Sequence, residues 1–196
     1  GRQWADGTES VIPAALRSLW HYHGEAWQFH VGLTGDHSYQ SNPLSWFLQT
    51  RPTSFYWASL ENGESGCAAD SCAAEVLALG NPIIWWIGSV ALLYLVWRWI
   101  TRRDWRAGAV LLAVLAGWVP WLLYLDRTIF SFYSVVFLPY LAMALAMMIG
   151  ALTGPPDASR ERRRTGTWVA AGILVLVVLA AWWFYPIWTA EVIPYE

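Results

Sequence analysis

The sequence predicts an all-α polytopic membrane protein, with four transmembrane helices preceded by an extracytoplasmic region that carries an interfacial amphipathic helix. The first observation is composition, because 57% of the 196 residues are hydrophobic and only 13% are charged, against roughly 45–50% and 25% in soluble domains. The second is a set of four apolar runs of about 19 to 24 residues, which as helices match the roughly 30 Å hydrocarbon core of a bilayer. The third is the sixteen Trp residues, since Trp favours membrane interfaces.

The four runs cover about residues 82–100, 107–125, 129–152 and 168–188. No acidic or basic residue stands near the middle of a run, where a charge costs about 2.5–3.5 kcal/mol. The runs also lack a polar face at helical spacing, which argues against helices of a large soluble protein. We therefore predict an extracytoplasmic region, residues 1–80, and a four-helix membrane region, residues 81–196. Pro120 and Pro139 predict kinks in the second and third helices, which serve packing or line a lipid groove.

The positions of the basic residues predict the orientation of the chain. All twelve are Arg, and eight of them lie in the two stretches 98–106 and 160–164. The positive-inside rule makes these stretches cytoplasmic. Residues 1–80, the connection 126–128 and the tail from Thr189 are then extracytoplasmic, in a multi-pass protein of the cell membrane. The chain begins without Met and without a signal peptide, so we expect it to be part of a larger protein.

The segment before the membrane helices divides into three parts. Residues 11–33 are predicted to form a helix in the interface plane, because apolar and aromatic residues recur there at spacings of three and four: Leu16, Leu19, Trp20, His23, Trp27 and His30. Residues 35–57 contain Asn-Pro and Arg-Pro steps, which predict an irregular segment. Residues 61–75 are predicted to form a small polar loop.

The His and Cys residues give no pattern of a metal site. His23 and His30 share a helical face, but the chain has no HExxH motif and no zinc spacing of Cys, so we expect no bound metal. We interpret the His residues as structural or interfacial, with substrate contact chiefly by His37. Cys67 and Cys72 lie outside the cytoplasm in the predicted topology, where a disulfide is the expected state. In a loop this small, the disulfide would stabilise the fold by at most about 2–3 kcal/mol.

Two Arg residues, Arg51 and Arg127, are predicted to lie at the outer membrane boundary. A guanidinium there can bind a phosphate through two charge-assisted hydrogen bonds, or it can extend to lipid headgroups. No Ser/His/Asp arrangement, Gly-rich phosphate loop or close carboxylate pair accompanies them. The net charge of -2 and the absence of a basic stripe argue against a nucleic-acid partner. The residues alone thus favour an outward-facing lipid or sugar site.

Three stretches carry motifs of one family. The first follows the pattern H-x-Y-x-S-x-P…W…R-P and comprises Asp36 to Pro43, Trp46, and Arg51 to Tyr56. The second is an LGNP…WW pattern, Leu79 to Pro82 with Trp85 and Trp86. The third comprises Arg127 to Phe130, Tyr133, Leu138 and Pro139. Together, over about residues 10–185, they resemble the C-terminal four-helix region of bacterial, actinobacterial-type protein O-mannosyltransferases. Ser38 stands where that family has Pro.

The resemblance implies the C-terminal part of a C-type glycosyltransferase fold. Such an enzyme transfers mannose from a polyprenyl-phosphate-mannose donor, without a further cofactor, to Ser or Thr of exported proteins. Its general base lies in an upstream outer loop, so no catalytic residue is expected in this chain. The expected partners are membrane lipid, the donor, the acceptor proteins and the N-terminal part of the same enzyme. The residues expected to bind donor or acceptor are His37, Tyr39, Ser41, Trp46, Arg51 and Arg127.

Two alternatives stay open at the level of sequence. One is another polyprenyl-phosphate-sugar-dependent transferase, similar to the aminoarabinose transferases. The other is a non-catalytic membrane subunit that only binds lipid. An acidic pair in the first outer loop of the upstream sequence would favour the mannosyltransferase.

Overall fold

The computed structural model describes residues 11–195. Four α-helices pack as a bundle, and a further helix, three 3-10 helices and a small sheet precede, connect or follow them. In chain order the elements are α1 Ala14–Val31, a first 3-10 helix Pro43–Leu48, β1 Ser54–Glu61, β2 Ser71–Leu77, α2 Pro82–Arg102, α3 Trp105–Trp118, a second 3-10 helix Val119–Leu123, a third Ser131–Val136, α4 Leu138–Thr153, α5 Arg160–Thr189 and β3 Ile193–Pro194.

Local sequence explains where the bundle helices begin. The side chain of Asn81 accepts hydrogen bonds from the amides of Ile83 and Ile84, and Pro82 occupies the first turn of α2. Asp104 accepts the amide of Arg106 at the start of α3. Within residues 11–195, three helical segments are long and apolar enough to cross a membrane: Pro82–Arg102, Trp105–Leu123 and Arg160–Thr189. They overlap the first, second and fourth predicted runs.

The third run differs from the prediction of one continuous helix from residue 129. Here α4 has 16 residues, and a 3-10 helix precedes it from Ser131. Pro139 lies in the first turn of α4, where its missing N–H costs no helical hydrogen bond. Pro120 likewise lies in the first turn of the second 3-10 helix. Pro139 therefore begins α4 and does not kink it, contrary to the prediction. Pro120 lies within the helical segment Trp105–Leu123, beside the point where α-helix gives way to 3-10 helix. Pro186 lies inside α5.

A three-stranded antiparallel sheet of order β1-β2-β3 was not predicted. It replaces the end of the expected irregular segment and part of the expected polar loop. Its middle strand buries the consecutive residues Cys72, Ala73 and Ala74, so the alternation that marks a half-buried strand is missing from the sequence. A disulfide joins Cys67 to Cys72, and β3 brings the C-terminal tail to β2 through the Ala73–Ile193 pair.

Two apolar clusters hold the bundle together. One lies between α2, α3, α4 and α5 and is centred on Leu95, Val110 and Ala144. The other lies nearer the sheet and contains Trp46, Trp85, Val114, Ile129, Phe137 and Leu141. Close approach depends on small residues, since a Cβ at Gly166 of α5 would lie 2.3 Å from the Cα of Thr153 in α4. Real Cβ contacts are never that short, so the backbones could not stay in place.

The two Arg-rich stretches meet at one end of the bundle. Arg98, Arg102 and Arg106 line a cavity together with Arg162, although the two stretches are far apart in sequence. The connections α2–α3 and α4–α5 therefore share one end. This is the arrangement that the positive-inside interpretation requires.

We expect Gly166→Ala to destabilise the protein by about 1–3 kcal/mol, because the added methyl forces α4 and α5 apart. Gly172→Ala is the matched control in the same helix, since a Cβ there has nothing within 4 Å. Thermal unfolding in detergent should show a lower Tm for Gly166→Ala and an unchanged or slightly higher Tm for Gly172→Ala. Equal Tm values for the two variants would contradict the observed helix packing.

The topology predicts that an impermeant maleimide labels Asp126→Cys in intact cells and does not label Asp157→Cys. The first residue lies in the connection between α3 and α4, and the second in the α4–α5 connection beside the Arg stretch. Both should react after the membrane is permeabilised. Labelling of Asp157→Cys in intact cells would show that the orientation is wrong.

Candidate functional site

A polar cavity of about 590 Å³ lies where residues 33–42 pass over the connection between α3 and α4. Two backbone hydrogen bonds hold this segment: the Thr128 amide donates to the Leu33 carbonyl at 3.1 Å, and the Ser41 amide to the Ile129 carbonyl at 2.9 Å. The Thr128 hydroxyl also donates to the Gly35 carbonyl. The residues that line the cavity are Asp36, His37, Ser38, Gln40, Ser41, Asn42, Arg51, Leu125 and Ile129.

The ring of His37 is held by its neighbours. Its Nδ1 accepts the Tyr39 amide at 3.1 Å, and the ring lies perpendicular to that of Phe130 with centroids 5.0 Å apart. When Nδ1 accepts, a neutral ring carries its proton on Nε2. His37 can therefore donate a hydrogen bond from Nε2 to a ligand oxygen.

Arg51 reaches the cavity from the segment after the first 3-10 helix. Its Nη2 donates to the Ser38 carbonyl at 2.8 Å, which fixes the guanidinium beside the motif segment 13 residues earlier. A guanidinium has five N–H donors, so the others stay available to an anionic group. Asp36 also lines the cavity, and its carboxylate favours binding of a hydroxyl or a cation.

Ser41 and Trp46 form the floor of the site. Trp46 has no exposed surface and Ser41 only 4%, and the indole Nε1 donates to the Ser41 Oγ at 2.9 Å. The Trp46 ring packs edge-on against Trp121 and Tyr133, which stack on each other at 4.6 Å. The Trp46 ring is covered by protein on every side, so it acts on the cavity through the Ser41 hydroxyl that it binds.

Arg127 is not among the residues that line the cavity. Its Nη2 lies 3.2 Å from His30 Nδ1 of α1, and its Cζ lies 5.7 Å from the centre of the Trp121 ring. These contacts join α1 to the α3–α4 connection. Tyr39 contributes its backbone amide to the site, and its ring lies beside His37 without lining the cavity.

Of the six predicted residues, the structure thus brings His37, Ser41 and Arg51 together in one cavity. Sequence reasoning did not assign a binding role to the other six lining residues, which are Asp36, Ser38, Gln40, Asn42, Leu125 and Ile129. Gln40 and Asn42 lie within the first motif stretch, and this position could have identified them as residues of the site. Among residues 11–195, no group of three His, Cys, Asp or Glu side chains is placed to hold a metal ion.

The fold and the cavity together define the membrane region of a polytopic protein with a polar site built from connections at one end of its helices. The family described as "C-terminal four TMM region of protein-O-mannosyltransferase" matches residues 15–193. The chain belongs to this family. The resemblance stated from the sequence motifs and the mainly helical membrane fold are both confirmed.

Relatives with the name polyprenol-phosphate-mannose–protein mannosyltransferase match almost the whole chain. That of Mycobacterium tuberculosis is 37% identical over 94% of this chain, and that of Mycolicibacterium smegmatis 38% identical over 93%. The chain spans 36% of the length of each. It also resembles a chain in the structure of the S. cerevisiae protein O-mannosyltransferase Pmt1-Pmt2 complex bound to the sugar donor, with a TM-score of 0.68, 24% identity, and coverage of 96% of this chain and 25% of that one.

We predict that Ser41→Ala lowers stability by about 1–3 kcal/mol, because the buried Trp46 N–H loses its partner. Ser38→Ala is the control, since Ser38 is exposed and binds Arg51 through its backbone. Thermal unfolding should place Ser41→Ala below Ser38→Ala. In the double variant Ser41→Ala/Trp46→Phe, the cost should be less than the sum of the single costs; strict additivity would show that the hydrogen bond is unimportant.

Proposed function

We propose that this chain forms the C-terminal membrane region of an enzyme that transfers mannose from polyprenyl-phosphate mannose to Ser or Thr of exported proteins. Two findings from the sequence support this proposal: the match to the family region, and relatives whose name states that activity. The observation in the structure that carries the proposal is Arg51, held by the Ser38 carbonyl in a polar cavity beside His37. A guanidinium in this position suits a phosphate group.

The proposed role of Arg51 follows from the chemistry of the transfer. The hydroxyl oxygen of the acceptor attacks C1 of mannose, and the bond between C1 and the phosphate oxygen breaks. The electron pair of that bond leaves with the polyprenyl phosphate, which gains negative charge. Arg51 stabilises this charge, and it acts most strongly in the transition state, where the charge develops. The hydroxyl proton passes to a base that lies outside this chain.

His37 and Asp36 are proposed to orient the sugar or the acceptor. The Nε2–H of His37 can donate to a sugar or phosphate oxygen, and the Asp36 carboxylate can accept from a hydroxyl. Ser41 and Trp46 act below them as positioning residues, since Trp46 fixes the Ser41 hydroxyl. Arg127 is assigned to the support of α1 through His30 rather than to the donor phosphate.

The cavity lies on the same side of the bundle as the sheet and opposite the Arg stretches. We propose that this side is extracytoplasmic, as the distribution of Arg indicates. An acceptor that has just crossed the membrane would then meet the site directly. The donor would present its phosphate at the membrane surface and keep its polyprenyl chain in the bilayer.

In a full-length enzyme that contains this chain, Arg51→Ala should lower kcat/KM for mannose transfer roughly 10- to 150-fold. This range corresponds to one hydrogen bond to a charged group, about 1.5–3 kcal/mol. Arg51→Lys should recover only part of the loss, because a point charge cannot form the bidentate contact. Transfer of labelled mannose from the lipid to a Ser/Thr peptide is the measurement.

Thr50→Ala serves as the matched control, since Thr50 is exposed and lies outside the cavity, and it should keep normal kcat/KM. If Arg51→Ala reduces only yield or Tm and the folded enzyme keeps its kcat/KM, Arg51 is structural and the site assignment is wrong. Transfer of another sugar in place of mannose would favour the aminoarabinose-type alternative. Transfer by the isolated 196-residue chain would contradict the placement of the base outside it.

A further inference from the structure

A second and larger cavity, of about 1300 Å³, lies at the opposite end of the bundle. It is formed by the end of α2, the start of α3, the end of α4 and Arg162 of α5. None of its lining residues belongs to the polar cavity beside Arg51. The proposed transfer reaction leaves it without a role.

The rim of this cavity is strongly cationic. Four guanidinium groups and one carboxylate line it, Arg98, Arg102, Arg106, Arg162 and Asp104, which gives a net charge of +3. The hydrogen bond from Arg98 lowers the pKa of the Asp104 carboxyl, so Asp104 is ionised at neutral pH. A net charge of this size beside a membrane attracts an anionic group.

Two of the four Arg residues are fixed by the protein itself. Arg98 Nε lies 2.5 Å from the Asp104 carboxylate, and Arg98 Nη1 donates to the Tyr94 hydroxyl at 3.0 Å. Arg162 Nη2 donates to the Ala151 carbonyl at 2.7 Å. These two side chains line the cavity where α2, α3 and the end of α4 meet.

The other two, Arg102 and Arg106, are exposed. Within the described part of the chain, neither guanidinium has a hydrogen bond or an ion pair, and Arg106 lies 5.9 Å from the centre of the Trp105 ring. Both face a common cavity from the two sides of the α2–α3 connection. They are the groups that an anionic ligand would bind.

The rest of the cavity wall is apolar. All three Met residues of the chain, Met143, Met147 and Met148, lie in it, together with Val110 and Leu152. Met is unbranched and flexible, and it adapts to ligands of irregular shape. Trp97 and Trp105 also line the cavity, and Trp favours the level of lipid headgroups. A cationic rim beside an apolar wall matches an amphiphile that carries a negative charge.

We propose that this cavity binds an anionic glycerophospholipid, with its phosphate on Arg102 and Arg106 and an acyl chain against the Met wall. Basic pockets between transmembrane helices on the cytoplasmic side recognise acidic headgroups by the same physics. A soluble phosphate compound would use the Arg pair and make no contact with the apolar wall. A neutral phospholipid would use the wall and leave the net charge of +3 uncompensated.

The test uses a full-length protein that contains this chain, in nanodiscs of phosphatidylcholine, titrated with phosphatidylglycerol of the same acyl composition. Native mass spectrometry counts the bound lipid. We expect saturable binding of phosphatidylglycerol. Arg102→Gln/Arg106→Gln should weaken it roughly 30-fold, because each Arg near the headgroup contributes about a factor of five.

Arg160→Gln/Arg164→Gln is the matched control, since it removes two Arg from the same end of the bundle but outside the cavity. It should leave the affinity within about threefold, as expected for a surface charge at a distance. An equal loss of affinity for phosphatidylglycerol in both double variants would mean that the lipid is attracted to the charged surface in general. The proposed binding site would then be wrong. An unchanged Tm of each variant without phosphatidylglycerol serves as the check on folding.

Two further experiments test whether the bound phosphate belongs to a phospholipid, to a soluble compound or to a polyprenyl phosphate. Glycerol 3-phosphate should compete poorly, because it lacks the acyl chain, and Met143→Ser should weaken the lipid without affecting glycerol 3-phosphate. Competition by glycerol 3-phosphate at the affinity of the lipid would overturn the assignment to a lipid. Displacement of phosphatidylglycerol by a lower concentration of polyprenyl phosphate would overturn the assignment to a phospholipid.

Discussion

The candidate site depends on hydrogen bonds to backbone N–H and C=O groups in the segments that connect the regular elements beside the membrane. Unpaired N–H and C=O groups are costly there, because no water reaches the hydrocarbon region. Tryptophan side chains supply partners for the first 3-10 helix: the Trp118 indole donates to the Pro43 carbonyl and the Trp86 indole to the Leu48 carbonyl. The amide of Gly80 donates to the side chain of Gln49, which is itself buried. These bonds seat the motif segment on the ends of α2 and α3.

This constraint gives the tryptophans two different roles. Trp182 and Trp183 of α5 are 73% and 72% exposed, as expected for residues at the interface with lipid. Trp46 and Trp85 are instead fully or nearly fully buried and belong to the apolar cluster under the site. A high Trp content therefore reflects both a membrane interface and a packed floor for the polar cavity. Composition alone does not separate the two.

The bundle presents chemically different surfaces at its two ends. At one end, Arg51 and Asp36 line a polar cavity in which opposite charges balance. At the other, the cavity carries a net charge of +3 over a wall of Met residues. The first suits a ligand with hydroxyl and phosphate groups, and the second suits an acidic lipid. Both rest on the same helices, because α3 contributes Val114 to the cluster below the first and Val110 to the wall of the second.

Features that depend on local composition could be predicted from the amino-acid sequence. Long apolar runs predict helices at α2, α3 and α5, since burial in lipid needs no particular partner, and the motifs around His37 and Arg51 indicated the family. The sheet and the surroundings of the Arg residues depend on contacts between distant parts of the chain. The sheet is mainly the antiparallel pair of β1 and β2, whose small buried residues leave no alternating pattern. Its third strand, β3, pairs with β2 from more than a hundred residues away. The different surroundings of Arg51 and Arg127 follow from non-local partners, the Ser38 carbonyl for one and His30 with Trp121 for the other, which residue type and spacing do not encode.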